Sequence, residues 1–311
     1  MKILITGING FLGTHLAYEL IKRKHAVVGI GRSPVCDVDG ISGYVKGSVL
    51  DKKIIKKAFK GINAVVHLAA LTAHSDIVKD KYRTLEINFH GTKNILDIFS
   101  VTPAAKKFIY SSTIKVYGDI RYLPLDEKHP ACPVNILGKS KYLTERLIDF
   151  YAAKGKECVI LRISNIFGEG QKRNFLIPTI LTQLKNTKKI KNTKEITLGD
   201  INAKRDYVYI KDVVNAFVLA VEKRVPDSFE VLNVCSGIPR SAKDIVSKII
   251  RMVDYKIKIK VNKNLLRENE MNKEYAEFKK AKNLLGWKPE NDLYDWLRKT
   301  LKDRSSLRRM Q

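Results

Sequence analysis

The sequence has no run of the roughly 20 apolar residues that a membrane-crossing helix needs. Its 44% hydrophobic content is therefore expected to build a core, with no membrane partner and a cytoplasmic location. It opens on "MKILITGING", a strand and a glycine turn, where a secretory leader would carry an apolar stretch. Cysteine is scarce. Cys36, Cys132, Cys158 and Cys235 are scattered and form no CxxC, which argues against a zinc site or a disulfide framework and predicts reduced thiols and no metal. Only Cys132, beside Pro133, sits near a stretch of functional interest. Acidic residues are few: 32 Asp and Glu stand against 58 Lys and Arg, a formal +26 that attracts anionic substrates and polyanions. The lysines gather at 52–60, 185–194, 256–260 and 298–309 without regular aromatic interleaving. Solvated faces are expected there ahead of a nucleic-acid surface.

What the first half does contain is an alternation of short β-branched runs with helical patterns, the sign of a parallel sheet wound by right-handed crossovers. Strands are expected at 2–6, 26–30, 64–69, 107–112 and 158–163, and helices at 11–23, 51–60, 82–101 and 138–154. Further on, "FLIPTILTQLK" and "KDVVNAFVLAVEK" read as helices, "EITLG" and "DYVYI" as short strands. The expected fold is α/β: a Rossmann-type, doubly wound parallel sheet over residues 1–163, joined by about 207–236. A smaller α/β substrate lobe is expected from 164–206 with 237–311. Such a lobe, capping the carboxyl ends of the strands, makes a cleft where ligands of these sheets bind.

"ITGINGFLG" sets Gly7, Gly10 and Gly13 directly after a strand and at the start of a helix, with Asn9, Phe11 and Leu12 between them. That spacing permits a tight turn, close approach of backbone to a pyrophosphate, and close helix–strand packing, while helix amides and dipole hold the phosphate charge. Dinucleotide binding is the expectation. At the end of the second strand an acidic side chain would bond the ribose hydroxyls of NAD. The chain has "GIGRSP" there, with Gly31 in the acidic place and Arg32 and Ser33 able to receive a phosphate. This favours NADP over NAD, against the plainer reading of Arg32 as a solvent-facing turn residue.

More motifs follow in order: "GSVLD" (47–51), "AVVHLAA" (64–70), "EINFHGTKNIL" (86–96), "YSSTIKVYG" (110–118) and "GKSKYLTER" (138–146). They continue with "LRISNIFGEGQ" (161–171), "RDYVYIKDVVNA" (205–216), "LNVCSG" (232–237) and "LLGWKP" (284–289). On these residues the chain resembles, nearly end to end, the extended short-chain dehydrogenases/reductases of the NAD-dependent epimerase/dehydratase type, which mostly act on nucleotide sugars. The resemblance implies a UDP-, GDP- or dTDP-sugar partner. It implies cofactor contacts from Gly7, Asn9, Gly10, Phe11, Leu12, Gly13, Ser48, Val49, Leu68, Ala69, Ala70, Asn88 and Lys141. It also implies catalytic roles for Thr113, on the reacting sugar oxygen, and for Lys141, on the nicotinamide ribose. Substrate contacts would come from Thr113, Asn165 and, on a phosphate, Arg205. A homodimer through the helices at 82–101 and 138–154 is implied as well.

Three departures from the family pattern bear on mechanism. Ser48 replaces an Asp near the adenine. "TIK" (113–115) lacks the Asp-Glu pair that dehydratases place after the Thr; Ile114 carries no proton, and Lys115 would transfer one only with a much lowered pKa, which disfavours sugar dehydration. Leu137 stands four residues before Lys141, where the family keeps the Tyr that exchanges a proton with the sugar hydroxyl. Tyr142, Tyr110 and Tyr117 do not inherit its geometry automatically, since each lies on another turn or strand. Thr113, a water or His74 is a candidate substitute, and His67 reads as packing. Two classes of function remain. One is an NAD(P)-dependent nucleotide-sugar epimerase or reductase with a substituted acid/base. The other is an inactive dinucleotide- or nucleotide-sugar-binding protein, or an RNA-binding one.

Overall fold

The computed structural model describes every residue except 73–76, 78, 153–155, 189, 267–270 and 303–311. The candidate His74 and the end of the basic stretch 298–309 lie outside the described residues. In chain order the first elements are β1 (Lys2–Thr6), α1 (Phe11–Lys22), β2 (Ala26–Gly31), β3 (Gly43–Lys46), α2 (Lys52–Ala58) and β4 (Ala64–His67). Next come α3 (Lys81–Leu85), a π-helical turn (Glu86–His90), α4 (Gly91–Val101), β5 (Lys107–Thr113), α5 (Ile136–Ala152), β6 (Glu157–Ile163), β7 (Asn165–Phe167) and α6 (Leu176–Asn186). The chain continues through β8 (Thr193–Leu198), β9 (Lys204–Tyr209), α7 (Ile210–Glu222), β10 (Phe229–Val234), β11 (Pro239–Ser241) and α8 (Ala242–Ile250). It ends with β12 (Lys256–Val261), β13 (Lys273–Glu274), α9 (Lys279–Leu285) and α10 (Leu293–Lys302).

The central sheet has seven strands in the order β10-β6-β5-β4-β1-β2-β3, every neighbouring pair parallel. This is the doubly wound α/β fold the strand–helix alternation predicts, with its switch point between β1 and β4. Period-two side-chain alternation feeds two cores. Ile3 and Ile5 of β1 face α1 and α7 in one, and Leu4 faces α2, α4 and α5 in the other. Two smaller sheets complete the chain: β11-β9-β13 with β7 paired to β9, and β12 with β8. The expected lobe boundary at 206/207 falls inside β9, whose pairing makes 204–209 one unit. Two basic clusters separate onto α2 and β12. No helix among the described residues is long and apolar enough to cross a membrane.

Two differences from the expected elements shape the site. The strand expected to run to 69 stops at His67, because Thr6 Oγ1 accepts the amides of Leu68 at 3.2 Å and Ala69 at 3.1 Å and turns the chain out of the sheet. The helix expected over 82–101 is interrupted by the π turn, which carries Asn88. An inserted residue of this kind re-aims a side chain without ending the helix.

Candidate active site

The carboxyl ends of the parallel strands bring Gly7, the 68–70 loop, Thr113 and, two residues beyond β6 at the start of β7, Asn165 to one edge of the sheet. Gly7 takes φ 73° and its amide donates to Ile30 O at 2.9 Å, closing the turn on β2. A Cβ at Gly7 would meet Ala69 N at 3.0 Å, and one at Gly13 would lie 2.3 Å from Gly7 O and 2.7 Å from Ile8 O. The turn, the 68–70 loop and the start of α1 are therefore packed backbone against backbone. Gly10 caps α1 without a side-chain hydrogen bond, so the amides of Phe11, Leu12 and Gly13 and the positive end of the helix dipole remain for an anion. Asn9 Nδ2 donates to Val35 O at 2.8 Å, whereas its buried Oδ1 has no hydrogen-bond partner. Free amides at the amino end of α1 and a turn packed backbone against backbone fit the diphosphate end of a dinucleotide.

Behind the turn runs a buried polar chain. Thr6 Oγ1 pairs with His67 Nδ1 at 2.7 Å, His67 Nε2 with Thr92 Oγ1 at 2.9 Å, and Thr92 Oγ1 donates to Asn88 O at 2.6 Å. Burial, helped by the charge of Lys141, lowers the His67 pKa to about 3, so the ring stays neutral, stacked 5.9 Å from Tyr110. Asn88 accepts from Leu71 N at 2.8 Å and donates to Leu71 O at 3.1 Å and Ser140 Oγ at 3.1 Å. It thereby fixes the loop after β4 to α5.

Lys141, one turn into α5, is 3% exposed. Its Nζ donates to Ser111 O at 2.7 Å and lies 4.6 Å over the Tyr110 ring. Burial pulls its pKa down to about 7 against the opposing charge of Glu145. Glu145 is held in a buried ion pair with Arg162 at 2.6 Å and accepts from Ser112 Oγ. Lys141 thus sits two residues along β5 from Thr113, which is half-buried, its Oγ1 accepting from Lys115 N at 3.3 Å. Asn135 Oδ1 accepts from Gly138 N at 2.8 Å and starts α5, which leaves Leu137 half-buried in the first turn.

The nearby tyrosines are committed to packing. Tyr117 is buried with its hydroxyl donating to Asn233 Oδ1 at 2.7 Å under the Arg162 guanidinium, and burial raises its pKa. Tyr110 is buried, with its pKa likewise raised by burial. Tyr142 packs against the cluster around Tyr117 and Ile114.

Beyond β6, Asn165 Nδ2 donates to Asp206 O at 3.0 Å, next to Arg205. Arg205 is buried; its Nη1 donates to Lys204 O at 2.9 Å, and its Cα lies in register with Arg240 on one side and Glu274 on the other. Asp206 is fully buried and accepts from Ser164 Oγ, Ser236 N, Ser236 Oγ and Gly237 N, which ties β9 to the loop after β10.

At the carboxyl end of β2 the sequence reading missed Tyr44. Its hydroxyl donates to Ser33 O at 2.8 Å, and a Cβ at Gly31 would come within 2.7 Å of it. Arg32 is exposed, with no ion pair among the described residues. Ser48 Oγ accepts from Leu50 N at 3.2 Å, and Val49 is buried against Gly91. Gly31→Asp is expected to weaken dinucleotide binding rather than sharpen it. Tyr44 would have to surrender its bond to Ser33, worth about 1 kcal/mol, before the carboxylate could reach a ribose. Titrating the variant with NAD and NADP checks this; tighter NAD binding would contradict it.

Among the described residues no cluster of His, Cys, Asp or Glu could hold a metal ion. Cys132 is exposed, and all four cysteines are free thiols.

Known proteins share this chain's sequence pattern and fold. The family model for GDP-mannose 4,6-dehydratase matches residues 4–300. A putative UDP-glucose 4-epimerase of Methanocaldococcus jannaschii is 32% identical over 304 residues, spanning 96% of this chain and 97% of its own length. The GDP-6-deoxy-D-mannose reductase of Pseudomonas aeruginosa is 26% identical, over 97% of this chain and 96% of its own. The UDP-glucuronic acid 4-epimerase of Bacillus cereus, solved with UDP-glucuronic acid and NAD, superposes with a TM-score of 0.85 at 25% identity over the whole of both chains. That structure holds NAD, so the expected preference for NADP finds no support in it. The chain belongs to the GDP-mannose 4,6-dehydratase-like, NAD-dependent epimerase/dehydratase family of extended short-chain dehydrogenases/reductases.

Proposed function

We propose that the protein is an NAD(P)-dependent nucleotide-sugar epimerase or reductase whose acid/base group is not the family tyrosine. The observation that carries this reading is Lys141: a buried ammonium anchored on Ser111 O, two residues from the Thr113 hydroxyl, at the open edge of the sheet. Burial brings its pKa down to about 7, which sets an exchangeable proton near neutral pH beside the Thr113 strand end. A bound nicotinamide dinucleotide supplies hydride acceptance and donation. The amides of Phe11, Leu12 and Gly13 hold its diphosphate, and Lys141 its nicotinamide ribose. Asn88 keeps the 68–71 loop in place. Thr113 bonds the reacting sugar oxygen, Asn165 the sugar, and Arg205 a phosphate of the UDP-, GDP- or dTDP-sugar. The large lobe, 1–163 with the helix and strand at 210–236, is the dinucleotide half, and the small sheets are the sugar half. Arg32 would meet a 2′-phosphate; tighter binding of NAD than of NADP would end that part of the reading.

Exposed Tyr82 and Leu85 on α3 and Leu143 and Phe150 on α5 support a homodimer through these helices. Light scattering of the purified protein reads that directly.

The test of function is product NMR with UDP-, GDP- and dTDP-hexoses, with Leu137→Tyr run in parallel and released nucleotide identified. Turnover of at least one sugar by the native chain is expected. Turnover by the variant alone would make the native chain a binder, and retention of RNA with steep salt dependence and no turnover would favour the polyanion reading.

A further inference from the structure

The ion pair between Lys115 and Glu274 has no role in the reading above, yet it stands where that reading lacks a proton carrier. Lys115 Nζ donates to Glu274 Oε2. On one side the backbone of Lys115 is bound to Thr113 Oγ1 through its amide, at 3.3 Å. On the other, its carbonyl presses on α5: a Cβ at Gly138, the neighbour of Leu137, would fall 2.4 Å from Lys115 O. The backbone of Lys115 therefore joins the Thr113 hydroxyl to the first turn of α5, next to Leu137, and its side chain reaches from there to Glu274. Glu274 arrives from the small sheet. β13 pairs it with Arg205, and the residues after it are pinned to the large lobe by Leu125 N to Tyr275 O at 3.0 Å and Glu277 N to Leu125 O at 2.9 Å. The Glu274 side chain is 3% exposed and that of Lys115 27%. The carboxylate is enclosed, while the ammonium has N–H groups left for a ligand.

We propose that Lys115 and Glu274 act together as the acid/base of this site: Lys115 meets the reacting sugar hydroxyl and Glu274 is the terminal proton acceptor. The proposal rests on the nucleotide-sugar reading. In the oxidising direction Lys115 first passes one proton to Glu274 Oε2, which frees a nitrogen lone pair; the sugar O–H bond then breaks and its proton goes to that lone pair on Lys115 Nζ. The sugar carbon loses hydride to the oxidised nicotinamide ring, and the C–O bond becomes C=O. Lys115 ends as an ammonium and Glu274 as a neutral acid, so one proton and one hydride have left the sugar; the reverse steps return both. An isolated lysine is a poor base at neutral pH because it keeps its proton; transfer to the enclosed Glu274 carboxylate frees the nitrogen lone pair that receives the sugar proton.

The test uses the full-length, dinucleotide-loaded protein with the sugar that the product NMR identifies. Lys115→Met is expected to lower kcat by about 10²-fold or more, with KM and bound dinucleotide unchanged. Lys115→Met/Glu274→Met is expected to match it, and because it leaves no unpaired buried charge it guards against a folding failure. Adding Leu137→Tyr to either should restore turnover. Independently of activity, nucleotide sugar should slow acylation of Lys115 in protein stripped of dinucleotide, read by peptide mass spectrometry. Turnover by Lys115→Met within tenfold of the native chain, or acylation indifferent to sugar, overturns the relay. Turnover by Leu137→Tyr but not by the native chain also overturns the relay while sparing the sugar site. No turnover by either overturns the function reading and the relay with it.

Discussion

Gly13→Ala is expected to abolish retention of the dinucleotide and to destabilise the fold together. The added carbon would lie 2.3 Å from Gly7 O, 2.7 Å from Ile8 O and 2.8 Å from Ile8 Cα, all backbone atoms that cannot rotate aside. Either α1 moves away from β1 or the turn opens, at a cost of about 1–3 kcal/mol for an overpacked site. Each charge-assisted amide–phosphate bond lost is worth about 1.5–3 kcal/mol, so losing two costs about 10²–10⁴-fold in affinity. Thermal unfolding and dinucleotide titration check both halves. Binding within threefold of the native chain would show that the glycine turn is not the cradle.

Lys141→Met is expected to separate stability from activity. Burial sets the Lys141 pKa near 7, below its usual 10.5, with Glu145 opposing the shift. Between about pH 7 and 10.5 the unfolded chain holds a proton that the folded chain has released, so this group's contribution to stability rises with pH through that window; below it the buried charge is a constant cost. Removing the ammonium should therefore leave the protein at least as stable below pH 7 and flatten the rise above it. Turnover should fall by about 10²–10⁴-fold, the range for loss of a positioned group in proton chemistry. Denaturant melts across pH and the same NMR assay measure the two effects. A variant that is less stable at low pH, or that turns over within tenfold, would contradict the placement of Lys141.

How much of this was legible in the sequence depends on whether the signal was local. Strands such as 2–6 and 107–112 announce themselves because both faces are largely buried and each holds three consecutive apolar residues, 3–5 and 108–110. β3 went unread because three of its four residues are only half-buried and the fourth is exposed, and with it went Tyr44, whose ring, in register with Gly29, reaches over Gly31. The glycine turn, Thr113 and the Leu137–Lys141 spacing are one-stretch patterns and stood out. The π turn that aims Asn88 has no sequence signature of its own. Glu274 was invisible for a different reason: nothing near it in the chain marks chemistry, and only the docking of β13 beside β9 carries its carboxylate to Lys115. Lys115 itself was read as a defect of the "TIK" segment, because its partner comes from the other end of the molecule.

The most direct measurement of the central claim is a crystal structure of the protein grown with saturating dinucleotide. The expected result is a diphosphate on the amides at the amino end of α1, with the redox ring between the Thr113 hydroxyl and Lys141 Nζ. A cradle left empty under saturation, or a ring placed away from those two side chains, would contradict it.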